Sequence, residues 1–131
     1  MEPKTRGMVE AEFTKAFIQF EKEYLGRGPL DVRTIFLNDM ILVRLQGLMS
    51  PAEHKLAASD QGRELLKEMR RQLFEGAREA IETLVRTIVG CNVISLHSDM
   101  STKTGERIVV LVVDVNLDEQ YPPTKRKRAK D

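Results

Sequence analysis

Residues 107–115, RIVVLVVDV, give the clearest indication of the fold. Residues 108–113 are six consecutive apolar residues without the alternation of a half-buried strand, and most of them are β-branched. A continuous apolar strand is typical of one that is buried on both faces. We therefore predict a central strand with helices on one side and either a helix or a partner sheet on the other. The run is far too short to span a bilayer as a helix.

The sequence predicts two hairpins, and this strand belongs to the second of them. Residues 91–98 form its partner, and the loop 100–106 contains Gly105 where a positive φ is needed. Cys91, the only cysteine, opens an apolar run and is expected to be buried as a small hydrophobe. A second pair of strands, residues 32–37 and 40–46, is separated by Asn38-Asp39, a pair that tolerates a two-residue turn. The four strands predict one antiparallel sheet.

Helices precede each hairpin. An apolar period of three and four residues predicts a helix from Met8 to about Leu25, where glycines and Pro29 follow. Residues 50–53, SPAE, read as a capping box that starts a short helix ending near residue 58. A long helix from about residue 62 to Gly90 would measure roughly 40 Å. Because that exceeds the sheet, one end is expected to pack on another subunit.

The predicted fold class is α+β, ordered helix–hairpin–helices–hairpin (αββ-αββ), with a four-stranded antiparallel sheet covered by a long helix. A chain of 131 residues with 41% hydrophobic residues fits one domain. We assign residues 8–118 to that domain, residues 1–7 to a flexible N-terminus and residues 119–131 to a disordered basic tail. No signal peptide precedes the first helix, so we expect a soluble, cytoplasmic protein that does not insert into a membrane.

The charge is distributed unevenly. The chain carries a net charge of +1, and residues 124–131 alone carry +4, which leaves −3 for residues 1–123. A flexible basic tail can bind a polyanion, or it can act only as a solubilising segment. The acidic body and the absence of an aromatic stacking platform make nucleic-acid binding the less favoured alternative. The candidate polyanion-binding residues are Lys125, Arg126, Lys127, Arg128 and Lys130.

No segment combines the residues that catalysis or a cofactor would need. His97-Ser98-Asp99 could place two metal ligands together, but no further Cys or His stands at ligand spacing, so a hydrogen-bonding role is favoured. Residues 26–29, GRGP, contain the glycines of a phosphate loop, yet they follow a helix instead of preceding one, which favours a turn. No Gly-x-Ser-x-Gly elbow is present. We expect no enzymatic activity, no cofactor and no metal.

Several stretches together resemble a known bacterial family. They are residues 20–28 (FEKEYLGRG), Pro29 with residues 32–34 (VRT), 43–47 (VRLQG), 50–53 (SPAE), 62–65 (GREL) and above all 93–114 (VISLHSDMSTKTGERIVVLVVD). They are similar to the MpsC-like family, named after the C component of a sodium-translocating, membrane-potential-generating system, and the resemblance covers roughly residues 8–118. It implies a stand-alone protein associated with membrane proteins related to ion-pumping and bicarbonate-uptake components. It supplies no catalytic residues.

The segments that carry the resemblance also contain the candidate site. If the two hairpins lie side by side, their polar residues could converge to bind an anion such as bicarbonate or phosphate. The polar loop between the last two strands could equally be a soluble turn. The candidates are Arg27, Gly28, Arg33, Arg44, His97, Asp99, Thr102, Lys103, Thr104 and Arg107.

The function expected from the sequence is that of a non-enzymatic accessory or regulatory protein. It would act by protein–protein contact, as a homodimer, near a membrane cation or inorganic-carbon transport system. The alternatives are a small-anion or nucleotide sensor that uses the Arg/His cluster, and a nucleic-acid-binding module aided by the basic tail.

Overall fold

A computed structural model describes residues 4–26, 28–47 and 49–123. The elements within these ranges follow the predicted order of helix, hairpin, helices and hairpin. They are α1 (Arg6–Leu25), β1 (Asp31–Leu37), β2 (Met40–Gln46), α2 (Pro51–Leu56), α3 (Asp60–Gly76), α4 (Arg78–Leu84), a π-helical turn (Val85–Val89), β3 (Val93–Met100), β4 (Arg107–Val113) and α5 (Leu117–Gln120).

The four strands form one antiparallel sheet in the order β1-β2-β4-β3. The two hairpins therefore join through β2 and β4, where Val43 lies opposite Val109. The α+β class and the central position of β4 are confirmed. Both predicted turn positions have left-handed backbone: φ is 55° at Asn38 and 77° at Gly105. The structure places the turns where the sequence predicts them, so the strand register follows from the hairpins.

The core lies on one face of the sheet. Alternate residues of each strand point towards the helices, and α1 packs a row of phenylalanines against them. The fully buried members of this core include Val9, Phe13, Phe17, Ile41, Val43, Leu45, Val109 and Leu111. Cys91 is buried, as predicted. Burial, together with the neighbouring Asp114, raises the pKa of its thiol to about 11, so the thiol stays protonated and unreactive at neutral pH.

The opposite face of the sheet, called the outer face here, is exposed or half-buried. The burial of β4 alternates along the strand, with buried residues pointing inward and Ile108 38% exposed on the outside. The apolar side chains of the outer face are Ile35, Leu37, Met40, Leu42, Ile108, Val110 and Val112. Within the part of the chain that the structure describes, the continuous apolar run of β4 is therefore buried on one face only.

The predicted long helix is wrong, because it breaks at Ala77. The backbone there leaves the helical region (φ −101°, ψ 8°), directly after Gly76, a residue with poor helix propensity. After the break, α4 and the π-helical turn run along the core and bury Ile81, Val85 and Val89. A straight helix would extend beyond the sheet, whereas the bend keeps the apolar residues packed against the sheet.

The apolar periodicity of this helix predicts a stripe whose members in α3 are Leu65, Leu66, Met69 and Leu73. Leu66 is buried, whereas Leu65, Met69 and Leu73 are 61%, 44% and 42% exposed. Phe74, which lies outside the predicted stripe, is buried as well. The bend at Ala77 rotates α3 relative to α4, so a single apolar stripe cannot face the core along both helices.

The domain extends beyond residues 8–118 at both ends. Thr5 caps α1 by accepting a hydrogen bond from the Met8 amide, so the helix begins at Arg6, within the segment predicted to be flexible. Arg6 donates a hydrogen bond to the carbonyl of Tyr121, and the Tyr121 hydroxyl donates one to the Val89 carbonyl at 2.8 Å. Residues 119–121, which we assigned to the tail, are thus part of the fold.

Candidate functional site

The outer face carries four of the strand candidates, Arg33 on β1, Arg44 on β2, and His97 and Asp99 on β3. Arg33 on β1 stands directly opposite Arg44 on β2, and Arg44 forms an ion pair with Glu106. His97 and Asp99 lie on β3 at the other edge of the sheet. At about 4.8 Å per strand, three spacings separate β1 from β3 by roughly 14 Å. The structure does not bring Arg33 and His97 into one pocket.

The remaining loop candidates form a self-contained turn between β3 and β4. The Thr104 amide donates to the Ser101 hydroxyl at 3.3 Å, and the Glu106 amide donates to the Thr104 hydroxyl at 3.2 Å. Thr102 is half-buried, and Lys103 and Thr104 are exposed. These hydrogen bonds fit the interpretation of the segment as a soluble turn.

The glycine loop after α1 also has the geometry of a turn. Gly26 has φ 78° and ends the helix. Gly28 lies so close to Lys22 that an added Cβ would sit 2.9 Å from that side chain. Arg27 lies outside the described residues, as do the tail candidates Lys125, Arg126, Lys127, Arg128 and Lys130.

Arg107 differs from the other candidates because it points to the inner face. Its side chain is 2% exposed, and its guanidinium carbon lies 4.9 Å from the centre of the Phe74 ring. Arg107 Nη1 is 3.9 Å from Glu21 Oε2, and Glu21 is fully buried. The distance fits an ion pair but is too long for a hydrogen bond.

A second ion pair lies beside the first. Arg70 on α3 is 6% exposed and donates from Nη2 to both carboxylate oxygens of Glu53, at 2.9 and 2.8 Å. Glu53 also closes the predicted capping box, because its Oε1 accepts from the Ser50 amide at 2.8 Å. One carboxylate therefore caps α2 and anchors it to α3.

Burial sets the protonation of this cluster. Loss of hydration raises the pKa of Glu21, although Arg107 and Arg70 oppose the change. Burial likewise lowers the pKa of Arg107, with Glu21 opposing it. For Glu53, burial is outweighed by the hydrogen bond from the Ser50 amide and by Arg70, which lower its pKa. Glu21 is thus the carboxyl of this cluster that most favours the neutral form.

Glu21 and Arg70 were missed by the sequence reasoning, which placed Glu21 among the polar positions of α1. The sequence does contain a signal for both residues, because each lies in a series of apolar residues spaced four apart. Glu21 continues the buried series of Phe13 and Phe17, and Arg70 stands midway between Leu66 and Phe74. A charged residue that interrupts an apolar series at i, i+4 lies on the buried face of its helix.

Glu21 predicts that stability falls as the pH rises. Its folded pKa lies above the ordinary value of 4.5, so between these two values the folded protein keeps a proton that the unfolded chain releases. The contribution is complete below about pH 4.5 and is lost as the pH passes the folded pKa. The free energy of unfolding of the wild type minus that of Glu21→Gln, measured by chemical denaturation at a series of pH values, should show this decline. A difference independent of pH would contradict it.

Comparison with known proteins places the chain in a family. A family model described as Na+-translocating membrane potential-generating system (MpsC) matches residues 5–115. The uncharacterized protein YbcI of Bacillus subtilis (strain 168) is 39% identical over 116 residues, which cover 88% of this chain and 94% of YbcI. The uncharacterized protein YrhF of the same organism is 28% identical over 111 residues, 83% of this chain and 90% of YrhF.

No solved structure matches the chain. Among the described residues, none of the helices has the length and apolar character needed to cross a membrane. The family model covers most of the chain, and the similarity to YbcI spans almost all of that protein. The chain therefore belongs to the MpsC family.

Proposed function

We propose that this protein is a non-enzymatic accessory protein that acts in the cytoplasm by protein–protein contact, as a homodimer formed through the outer face. Its role would lie with the Na+-translocating membrane-potential-generating system that the family description names. The observation that carries the proposal is the outer face itself, because it presents seven apolar side chains on a sheet that the described residues cover only on its other side. Exposed apolar surface of this extent is typical of an interaction site.

The strand register arranges the outer face in rows across the sheet. One row is apolar over three strands and ends in a histidine: Ile35, Leu42, Val110 and His97. The next row contains Leu37, Met40, Val112 and Ser95. Ile35 is 54% exposed and Leu37 is 46% exposed. These two rows offer a flat apolar surface to a partner.

The third row supplies the argument for a second copy as that partner. Arg44 and Ile108 form its middle, and its two ends carry charges of opposite sign, Arg33 on β1 and Asp99 on β3. Arg33 Nε lies 3.9 Å from Asp31 Oδ2 and Asp99 Oδ1 lies 3.7 Å from Lys67 Nζ, and such exposed ion pairs are weak enough to be exchanged for a contact with a partner. A two-fold axis parallel to the strands, between β2 and β4, places β1 of one copy over β3 of the other. Arg33 then faces the partner's Asp99, and symmetry makes this contact twice. An axis perpendicular to the strands would instead set Arg33 against the partner's Leu37.

The size of the sheet indicates a modest affinity. Three strands of seven residues and one of eight span about 20 Å by 20 Å at the usual strand spacing and rise. Two such faces would bury on the order of 1,000 Å² in total, at the small end of specific interfaces. Half-buried Val110 and Val112 would lie at the centre, away from the charged rim. We therefore expect a reversible dimer with a dissociation constant of roughly micromolar order.

Charge reversal tests the arrangement. In sedimentation equilibrium of the full chain, Arg33→Asp and Asp99→Arg should each weaken association at least about tenfold, because each creates two like-charge contacts per dimer. The double variant should recover most of the wild-type affinity. Arg78→Asp is the control, since Arg78 is an exposed cation on α4, remote from the sheet face. A wild type that stays monomeric at about 200 μM, or a double variant no better than the singles, overturns the dimer.

The role in the membrane system has its own test. Cells that lack the protein should show a smaller Na+-dependent membrane potential, measured with a potential-sensitive dye. Wild type and Arg78→Asp should restore it, whereas Val110→Asp, which places a charge in the centre of the outer face, should not. Equal restoration by Val110→Asp would show that the outer face is not needed for this role.

A further inference from the structure

A cavity of about 400 Å³ opens between α3 and β3, on the helix side of the sheet. It is separate from the apolar rows of the outer face. Arg70, Phe74 and Arg107 line its buried end, and Leu96, Ser98 and Met100 line the side formed by β3. Its volume is within the range of small-molecule sites.

Arg107 is the lining residue whose hydrogen-bond donors indicate that the cavity binds a ligand. Its Nε and Nη1 atoms are buried without a hydrogen-bond partner among the residues that the structure describes. The same holds for both carboxylate oxygens of Glu21, which stands 3.9 Å from Arg107. Buried guanidinium donors are nearly always hydrogen-bonded, so a buried arginine that lines a cavity and has unpartnered donors points to a bound acceptor.

The residues that line the cavity indicate which class of hydrogen-bond acceptor it binds. Phe74, Leu96 and Met100 give the cavity apolar walls, so the ligand needs an apolar part as well as an anionic group. The charged lining balances: four cationic residues (Lys67, Arg70, Arg71 and Arg107) are matched by four acidic residues (Glu64, Glu68, Glu75 and Asp99). Such balance does not attract a polyanion, which argues against a nucleotide and for a single negative charge.

We propose that this cavity binds a small organic carboxylate, with the carboxylate on Arg107 and the apolar part against Phe74, Leu96 and Met100. Arginine pairs well with a carboxylate because its planar fork matches the two oxygens. Glu21 accommodates the added charge, since burial already favours its neutral form. The proposal does not require the dimer, which uses the other face of the sheet, and Asp99 at the edge strand β3 is the one residue that borders both.

Titration of the full chain with propionate and benzoate, followed by NMR, tests the proposal. The Arg107 Nε–H and the Ser98 and Met100 amide signals should shift together and saturate, with a dissociation constant of about 1 mM or lower. Inorganic phosphate, chloride and ATP serve as comparison anions and should bind at least about tenfold more weakly. Equal binding of phosphate would overturn the assignment to carboxylates.

Ser98→Trp provides a variant that leaves the ion pairs untouched. It fills the cavity from β3, so it should weaken carboxylate binding at least about tenfold. Ala11→Trp, on an exposed position of α1, is the control and should bind as the wild type does. No saturable shift up to about 50 mM, unchanged binding in Ser98→Trp, or contacts of Arg107 with bound water only would each overturn the proposal.

Discussion

Replacing Arg107 by methionine should lower the free energy of unfolding at pH 8 by about 3–5 kcal/mol. The substitution keeps much of the side-chain volume but leaves Glu21 fully buried without its nearest cation, 3.9 Å away in the wild type. The cost arises because a buried carboxylate without a counter-charge must either stay ionised out of water or take up a proton at a pH where the unfolded chain has released it. Urea denaturation of wild type and variant measures it. The loss should shrink towards pH 4, since Glu21 then takes up a proton.

A double-mutant cycle separates the pair from ordinary packing. Glu21→Met combined with Arg107→Met should cost far less than the sum of the single variants, because an apolar pair of similar volume removes both desolvated charges. Arg78→Met is the matched control. Its ion pair with Glu82 is largely exposed on α4, so we expect a change of at most about 0.5 kcal/mol. Single-variant losses that simply add would mean that the two side chains are not coupled.

Leu111→Ala should destabilise the protein by about 2–5 kcal/mol at every protein concentration. Leu111 is fully buried on the inner face of β4, and the loss combines reduced apolar burial with the cavity left behind. Chemical denaturation at several protein concentrations measures the effect.

Leu42→Ala is the same substitution on the neighbouring strand, but on the outer face. Leu42 lies beside Val110 and is half-buried in the single chain. Its effect should appear mainly in the part of the stability that depends on protein concentration, because the proposed dimer would bury it. A Leu42→Ala loss as large as that of Leu111→Ala, with no dependence on concentration, would place Leu42 in the core and contradict the two-faced description of the sheet.

Local signals located the turns and caps well. Asn38, Gly105 and the Ser50–Glu53 box act through their own backbone and nearest neighbours, so the sequence alone was sufficient to predict them. The same is true of the end of α1 at Gly26. Such elements need no knowledge of what packs against them.

The candidate site was harder to predict because distance between strands is not a local property. Arg33, Arg44, His97 and Asp99 were assigned to strands, and the expectation that the hairpins lie side by side is met. The order β1-β2-β4-β3 nevertheless puts His97 at the edge opposite Arg33. Arg107 was named for its segment alone, and only its inward position shows that it belongs to a different site.

The element types, the two hairpins and the central place of β4 could be predicted from the residues alone, because hydrophobic pattern and turn chemistry act over a few residues. Three further features became visible only in the folded chain: the break at Ala77, the pairing of Glu21 with Arg107, and the exposure of one face of β4. Each depends on which surfaces meet across the fold. An apolar run such as residues 108–113 indicates that its side chains favour burial. The packing of the helices on the sheet determines which of these side chains are covered within a single chain.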